Sequence, residues 1–210
     1  SAIRSHRSFN KSDLKSIMQL ARSYAGDGVY VIDLRLHPRD RIAWLETGLA
    51  ASRIMKDRQA EGAHLGNLGR AYSDLGEPRK AIEFYEQGLK IAQEIGDQIG
   101  EGVDLGNLGN AYRNLGETRK AIEFYEHALA IAKENGRQRG EGIALHNLGS
   151  AYKDLGEPRK AIEFYEQALK ISREIGDQRN EGIALGNLGI SYFDLGETRK
   201  AIELHKQALA

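Results

Sequence analysis

The 210-residue sequence contains no cysteine, which excludes disulfide bonds and metal or redox sites built on cysteine. Its thirty basic and thirty acidic residues cancel, so no net field attracts nucleic acid or an anionic membrane. No apolar run approaches the roughly 18 residues that a membrane-spanning helix requires. The N-terminal stretch SAIRSHRSFNKSDLK is polar and basic, unlike a secretory signal. We therefore expect a cytoplasmic protein without nucleic-acid or membrane partners.

Motifs of catalysis and cofactor binding are also missing. No Gly-Lys pair occurs, which excludes the phosphate-binding loop G-x-x-x-x-G-K-[ST]. The six histidines are scattered, and no two of them have the i, i+4 spacing of a helical zinc site. Many carboxylates recur with the repeat described next, as expected of solvated helix ends. We expect no enzymatic activity, no cofactor and no metal.

What the sequence has instead is a repeat of 40 residues. Residues 61–100 and 141–180 align without a gap, and 30 of these 40 positions are identical. The stretch NLGNAYRNLGETRKAIEFYEHAL, at residues 107–129, recurs with small changes from Asn67, Asn147 and Asn187. A period between 20 and 50 residues is typical of solenoids, in which each unit packs only on its neighbours.

Each repeat is predicted to form two helices. Leu105, Leu108, Tyr112 and Leu115 follow helical spacing and form one apolar stripe. Gly116 ends this first helix, because glycine accepts the left-handed conformation after a helix C-terminus. The second helix is apolar over about half its circumference, which suits a helix packed between its own partner and the next repeat.

The small and polar residues at the ends of the helices support this division. The pairs Gly96-Asp97 and Gly176-Asp177 are predicted to end one repeat and to cap the first helix of the next. Gly109 lies beside the leucine stripe, where a small residue lets two helices approach closely.

The order Leu-Gly-x-x-Tyr, then Ala-x-x-x-Tyr-x-x-Ala, in a helix–turn–helix unit resembles the tetratricopeptide repeat. The 40-residue spacing is similar to that of the long repeats of Pins-type spindle regulators and kinesin light chains. It is also similar to the sensor arrays of bacterial and archaeal signal-transduction ATPases. The resemblance implies an all-α, right-handed α-solenoid of antiparallel helix pairs that binds proteins, as the sensor or scaffold part of a larger signalling protein.

We predict about five units, the first of them divergent. Residues 42–57 overlay residues 82–97 without a gap, with Trp44 in the place of Phe84, but an irregular, partly extended insert precedes them. This segment could cap the solenoid or contact an upstream domain. We expect the chain to be a piece of a longer protein whose array continues beyond Ala210. The predicted divisions are a flexible N-terminus (1–10), a degenerate capping repeat (11–57) and four repeats (58–97, 98–137, 138–177 and 178–210), the last truncated in its second helix.

One face of the first helices is the predicted binding surface. Asn67, Asn107, Asn147 and Asn187 place one amide per repeat on the side opposite the leucine stripe. A side-chain amide both donates and accepts hydrogen bonds, so it can pair with a peptide unit. In similar proteins such asparagines hold peptide backbones, and the resemblance implies this role here. Alternatively, each asparagine braces a neighbouring hairpin.

Three positions on or beside this face differ between otherwise similar repeats. The variable residues predicted to contact a ligand are Arg70, Asn110, Arg113, His146, Lys153, Ile190 and Phe193. They suggest a ligand that is bound by polar and basic groups at one end and by apolar groups at the other. Arg113 and Lys153 would suit an acidic ligand residue. Neutral variation of exposed residues is the alternative.

We therefore expect a protein-interaction module that binds an extended peptide or a partner segment in the concave groove of the solenoid. The alternative is a structural scaffold that associates through its repeat ends. Apolar side chains such as Ile202 and Leu209 are expected to be exposed at the C-terminal end, where they could drive end-to-end association.

Overall fold

A computed structural model describes residues 38–209 of the chain, with side chains from residue 41 onward. All the regular structure of these residues is helical. The helices are α1 (Pro38–Met55), α2 (Arg58–Asp74), α3 (Pro78–Ile95), α4 (Gln98–Asn114), α5 (Thr118–Glu134), α6 (Gln138–Asp154), α7 (Pro158–Glu174), α8 (Gln178–Asp194) and α9 (Thr198–Ala208).

Each helix packs on the helix before it and the helix after it, which confirms the all-α solenoid of stacked helix pairs. The first helices of the repeats, α2, α4, α6 and α8, also contact one another. Successive second helices, α3, α5, α7 and α9, approach one another less closely than the first helices do. The stack therefore curves with the first helices on its inner side.

In the first three hairpins, a tyrosine of the second helix packs on a glycine of the first, and in the last hairpin His205 packs on Gly189. A Cβ atom added to Gly109 would lie 2.4 Å from the Tyr125 ring, and one added to Gly69 would lie 2.5 Å from the ring of Tyr85. The glycine of the Leu-Gly motif is thus required by the close approach of a ring. The prediction that small residues allow this approach is confirmed.

A second pair of aromatic residues packs inside each of the first three hairpins. Tyr112 stacks on Phe124 with ring centroids 5.2 Å apart, and the ammonium group of Lys120 lies 3.9 Å from the centroid of the same tyrosine. The same stack and cation–π contact recur at Tyr72 and Tyr152. These contacts stabilise the hairpins.

The predicted stops and caps are present. Gly96 and Gly176 adopt φ values of 70° and 68°, the left-handed conformation that glycine tolerates. Asp97 accepts hydrogen bonds from the backbone N–H groups of Ile99 and Gly100, and Asp177 accepts one from the N–H of Asn180. The start of α6 differs, because Arg137 stands at the N-cap and makes no capping hydrogen bond.

At the N-terminal end, α1 takes the place of a second helix. Ile42, Leu45 and Leu49 are buried against Leu65 and Leu68 of α2. Residues 38–40 form the first turn of α1, so the predicted irregular insert does not extend through them. The predicted flexible segment 1–10 and the rest of the predicted capping repeat lie outside the described residues.

At the C-terminal end, α9 is covered on one side only. Ile202 is 51% exposed, whereas Ile82, at the same position of α3, is 8% exposed. Leu209 is also exposed. The predicted exposure of these two residues is therefore present, and self-association through them stays a prediction.

Candidate functional site: the inner face of the first helices

The four asparagines occupy the middle of the first helices, one in each repeat, and all are half-buried. Asn67 and Asn107 line one cavity, and Asn107 and Asn147 line the next. Within the part of the chain that the structure describes, the side-chain amides of these three residues form no hydrogen bond. They are therefore available to a ligand.

Asn187 differs from the other three asparagines. Its amide nitrogen lies 3.4 Å from Nε2 of His146, which belongs to the preceding repeat. The His146 ring also packs on the Tyr165 ring, with centroids 5.4 Å apart. Burial, with the nearby positive charges of Arg113 and Lys153, lowers the pKa of His146. Asn187 and His146 therefore link two repeats on the inner face.

Asn110, which is predicted to contact a ligand, also braces its own hairpin. The Tyr125 hydroxyl donates a 2.7 Å hydrogen bond to Asn110 Oδ1. In the next repeat Tyr165 makes the corresponding bond to Ser150, at 3.1 Å. Asn110 also lines the cavity shared by Asn107 and Asn147.

The two basic residues predicted to meet an acidic ligand have different surroundings. Arg113 forms an ion pair with Asp154 of the next repeat, with Nε and Oδ2 3.4 Å apart. Lys153 is half-buried and close enough to affect the pKa of His146. Arg70 lines the first cavity. Arg113 and Lys153 therefore lie near His146. Arg70 belongs to the repeat two units before that of His146.

The predicted apolar end of the surface is exposed. Phe193 is 63% exposed, and Ile190 is exposed on the same helix. A phenyl ring that is largely open to solvent has a sizeable apolar area to bury against a partner.

A row of exposed aliphatic residues, which were not among the predicted ligand contacts, lies one helical turn before the asparagines. Val103, Ile143 and Ile183 occupy the same position in three successive repeats and are all exposed. Ile99 is exposed one turn earlier. The signal was present in the sequence, since an aliphatic residue recurs four positions before each asparagine, with Ala63 in the first repeat.

Two cavities lie on the inner face of the described residues, each between adjacent first helices. The first groove cavity, of about 430 Å³, lies between α2, α3 and α4. The second groove cavity, of about 330 Å³, lies between α4, α5 and α6. Ile99, Val103 and Asn107 of α4 line both cavities, so the two cavities are neighbours along one groove.

A second feature missed by sequence analysis is the contact between the second helix of one unit and the first helix of the next, here called a seam. The paired positions at the four seams are Gly48 and His64, Gly88 and Asp104, Ala128 and Ala144, and Ala168 and Ala184. The first two pairs combine glycine with a larger polar residue, and the last two are alanines. The packing residues therefore vary along the array more than predicted.

The polar residues of the first two seams are buried. His64 is 1% exposed, and its Nδ1 has no hydrogen-bond partner among the described residues. Asp104 is 6% exposed. A Cβ atom added to Gly48 would lie 2.5 Å from the His64 ring, and one added to Gly88 would lie 2.7 Å from Asp104 Oδ2. The absence of a side chain at Gly48 therefore leaves space for His64, and its absence at Gly88 leaves space for Asp104.

Residues 38–209 contain neither a metal-binding cluster nor a membrane-spanning helix. No group of three or more histidine, aspartate or glutamate residues there is arranged to hold a metal ion. None of the described helices is long and apolar enough to cross a membrane.

A stack of helical hairpins with an open, ligand-sized groove is the architecture of a repeat protein that binds other proteins. The chain belongs to the tetratricopeptide repeat family, since a model of that family matches residues 63–134, 101–174 and 140–210. The recognised repeat is thus confirmed, and the chain is a protein-interaction module. None of the curated protein sequences compared with the chain matches it.

Solved structures share the fold. A variant of a Podosopora anserina protein described as a kinesin light chain with nearly identical TPR-like repeats is 24% identical, with a TM-score of 0.69, over 94% of this chain and 93% of that one. A Pyrococcus horikoshii Signal Transduction ATPase with Numerous Domains, which carries a tetratricopeptide repeat sensor, is 22% identical, with a TM-score of 0.70. That match covers 91% of this chain and 29% of the ATPase.

Aspartyl phosphate phosphatase F from Bacillus subtilis is 15% identical, with a TM-score of 0.76, over 93% of this chain and 49% of that one. At these identities the three likenesses show the fold alone.

Proposed function

We propose that the chain binds an extended peptide segment of a partner protein along the inner face of its first helices. The observation that carries the proposal is the row of three unpaired amides, on Asn67, Asn107 and Asn147, beside two adjoining cavities. Each amide can exchange two hydrogen bonds with a peptide unit. The neighbouring aliphatic residues supply apolar contact for the ligand's side chains.

The amides and the aliphatic row suit a ligand whose backbone follows the groove. Side chains of an extended chain alternate between two directions, so some would enter the cavities and others would face solvent. Ile190 and Phe193 extend the apolar surface beyond the asparagines toward the C-terminal end. Arg113, Lys153 and His146 lie between these regions and would favour a polar or acidic ligand residue there.

We place this activity in the sensor or scaffold part of a larger cytoplasmic signalling protein. Support for this comes from the similarity to the repeat sensor of the ATPase. Ligand binding would favour one state of such a protein only through a difference in affinity between its states.

The experiment is a peptide-display selection against the folded chain, repeated with Asn67, Asn107 and Asn147 all changed to alanine. A matched control changes three amides of the second helices, Gln87, Gln167 and Gln207, which are exposed at equivalent positions on the other side of the hairpins.

We expect the selected peptides to bind the wild type and the glutamine variant, and to lose at least about tenfold in affinity for the asparagine variant. Equal loss in both variants, or peptides that ignore the asparagines, would contradict the proposal.

A second candidate is a scaffold that self-associates through its ends, favoured by the exposure of Ile202 and Leu209. Sedimentation of the wild type and of Leu209→Glu over a range of concentrations tests it. Assembly that the glutamate abolishes supports the scaffold, and a monomer at all concentrations rejects it.

A further inference from the structure

The first groove cavity contains a carboxylate that the other cavity lacks. Asp104 lines the first groove cavity, whereas its counterpart Ala144 lines the second. Two glycines flank the carboxylate: added Cβ atoms would lie 3.3 Å from Oδ1 at Gly66 and 2.7 Å from Oδ2 at Gly88. Because neither glycine has a side chain, the Asp104 carboxylate has room in the lining of the cavity.

Asp104 has no hydrogen bond or ion pair to any other residue within the described part of the chain. A carboxylate that is buried to this extent without a partner is costly. The Asp97 carboxylate is of the same sign and adds to the cost. No feature of the hairpin packing requires an acid here, because alanine occupies the same position in two later repeats. A positive charge that enters the cavity would pair with this carboxylate.

The walls of the cavity indicate what kind of cation fits. Ile91, Ile95, Ile99 and Val103 line it, so the path to the carboxylate is largely apolar. A long aliphatic side chain with a charged end can bury its methylene groups along such walls and still present its charge to a partner. Lysine and arginine are the side chains with this shape.

We propose that the first groove cavity binds a lysine or arginine side chain of the peptide ligand, with its cationic end paired with Asp104. This inference rests on the proposed peptide-binding function of the groove. It adds a requirement for a basic residue at one position of the ligand.

The proposal predicts a dependence of binding on pH. Burial, with the nearby Asp97 carboxylate, raises the pKa of Asp104 to about 7. The other charged groups lining the cavity are Asp97, just before α4, and Arg70 on α2, while the residues of α3 that line it are uncharged. A cationic side chain binds the ionised carboxylate, so affinity for it rises as the pH increases through about 7.

The experiment uses two small probes, Nα-acetyl-lysine N-methylamide and its norleucine counterpart, which has no charge. Both are titrated at about pH 8 into the ¹⁵N-labelled protein, in the wild type and in Asp104→Asn. Asp104→Ala is a second variant, because it installs the residue found in the later repeats and is expected to fold. An acid at an exposed position, changed in Glu123→Gln, is the control.

We expect the lysine probe to shift the amide signals of Gly66 and Gly88, and to bind on the order of tenfold more weakly to both Asp104 variants. The norleucine probe should bind weakly to all of them. Equal binding of the two probes, unchanged lysine binding in the Asp104 variants, or no lysine binding to the wild type would overturn the proposal.

The display selection and the lysine titration together distinguish this inference from the proposed function. If display selection yields asparagine-dependent peptides without a shared basic residue, the cation pocket is wrong and the groove stands. If the lysine probe binds through Asp104 but no linear peptide is selected, the pocket stands and the proposed function fails.

Discussion

The first two seams of the array and the last two are built differently from almost the same repeat. Ala128 and Ala144 lie together in a small apolar cluster, and Ala168 and Ala184 form the corresponding pair. The first two seams instead bury His64 and Asp104, each opposite a glycine. Both polar groups lose hydration, and neither gains a partner among the described residues.

We attribute this difference to two roles: the alanine seams stabilise the array, and the polar seams serve binding. Alanine pairs fill a seam with apolar atoms and leave nothing to titrate. A glycine paired with a polar residue leaves room and keeps a buried ionisable group, at a cost in stability that natural proteins tolerate at functional sites. We therefore expect the later repeats to be the more stable part of the array and the first two repeats to respond to pH and ligands.

The largest expected effect comes from Gly48→Ala. The new methyl group would overlap the His64 ring, which is fully buried and cannot move aside, so we expect a loss of about 2 kcal/mol in the free energy of unfolding. Adding His64→Ala creates the alanine pair of the later seams and should recover most of the loss. Urea unfolding followed by circular dichroism measures this double-mutant cycle, and additive effects would contradict the proposed packing.

The next effect is a gain in stability from Asp104→Ala. In the wild type, the raised pKa of Asp104 means that the folded protein holds a proton between about pH 4 and about pH 7 that the unfolded chain releases. Stability from this group therefore falls as the pH rises over that range. We expect the variant to be about 2 kcal/mol more stable than the wild type at pH 8, and less so at pH 5. A constant difference between the two pH values would show that Asp104 does not titrate as described.

The first seam should respond to pH in the opposite direction. Burial lowers the pKa of His64 from its ordinary value of 6.5. The unfolded chain therefore binds a proton below about pH 6.5 that the folded protein excludes, and stability is lost as the pH falls. We expect a loss of about 1 kcal/mol between pH 7.5 and pH 5.5 that His64→Ala removes. The exposed His127, changed to alanine, is the control, and an equal effect of the two substitutions would exclude this explanation.

The smallest expected effect is at the start of α6. Arg137→Asp supplies the capping carboxylate that Asp57, Asp97 and Asp177 supply to the other first helices. We expect a gain of about 1 kcal/mol, since an N-cap acceptor also interacts favourably with the helix dipole. Arg137→Asn separates the hydrogen bond from the charge, and the gain is measured as a rise in the urea midpoint.

The helices, turns and hairpin cores could be predicted because four copies of one sequence constrain them. Spacing alone identifies the Leu105–Leu108–Tyr112 stripe, and local backbone geometry explains Gly96 and Asp97. Each of these features depends only on residues that are close together in the sequence, within one hairpin or in the turn that follows it. Repetition makes such local patterns visible without any knowledge of the tertiary structure.

Contacts between repeats were harder to predict. Arg113 pairs with Asp154, and His146 approaches Asn187, across distances that depend on how two hairpins stack. The burial of Asp104 was missed because its position varies between repeats and most carboxylates of the sequence lie on solvated faces. A glycine opposite each large polar residue, and alanine opposite alanine, is the sequence signal that could have revealed the seams.

The most direct test of peptide binding on the inner face uses the glycines of the chain as reporters. Gly62, Gly66, Gly102 and Gly106 line the two groove cavities, and Gly76, Gly156 and Gly196 lie at the turns of the hairpins. Their ¹⁵N amide signals are followed while a selected peptide is added. We predict shifts of the cavity glycines with little change at the turns. Shifts confined to the turns, or to the signals of α9, would contradict binding along the groove.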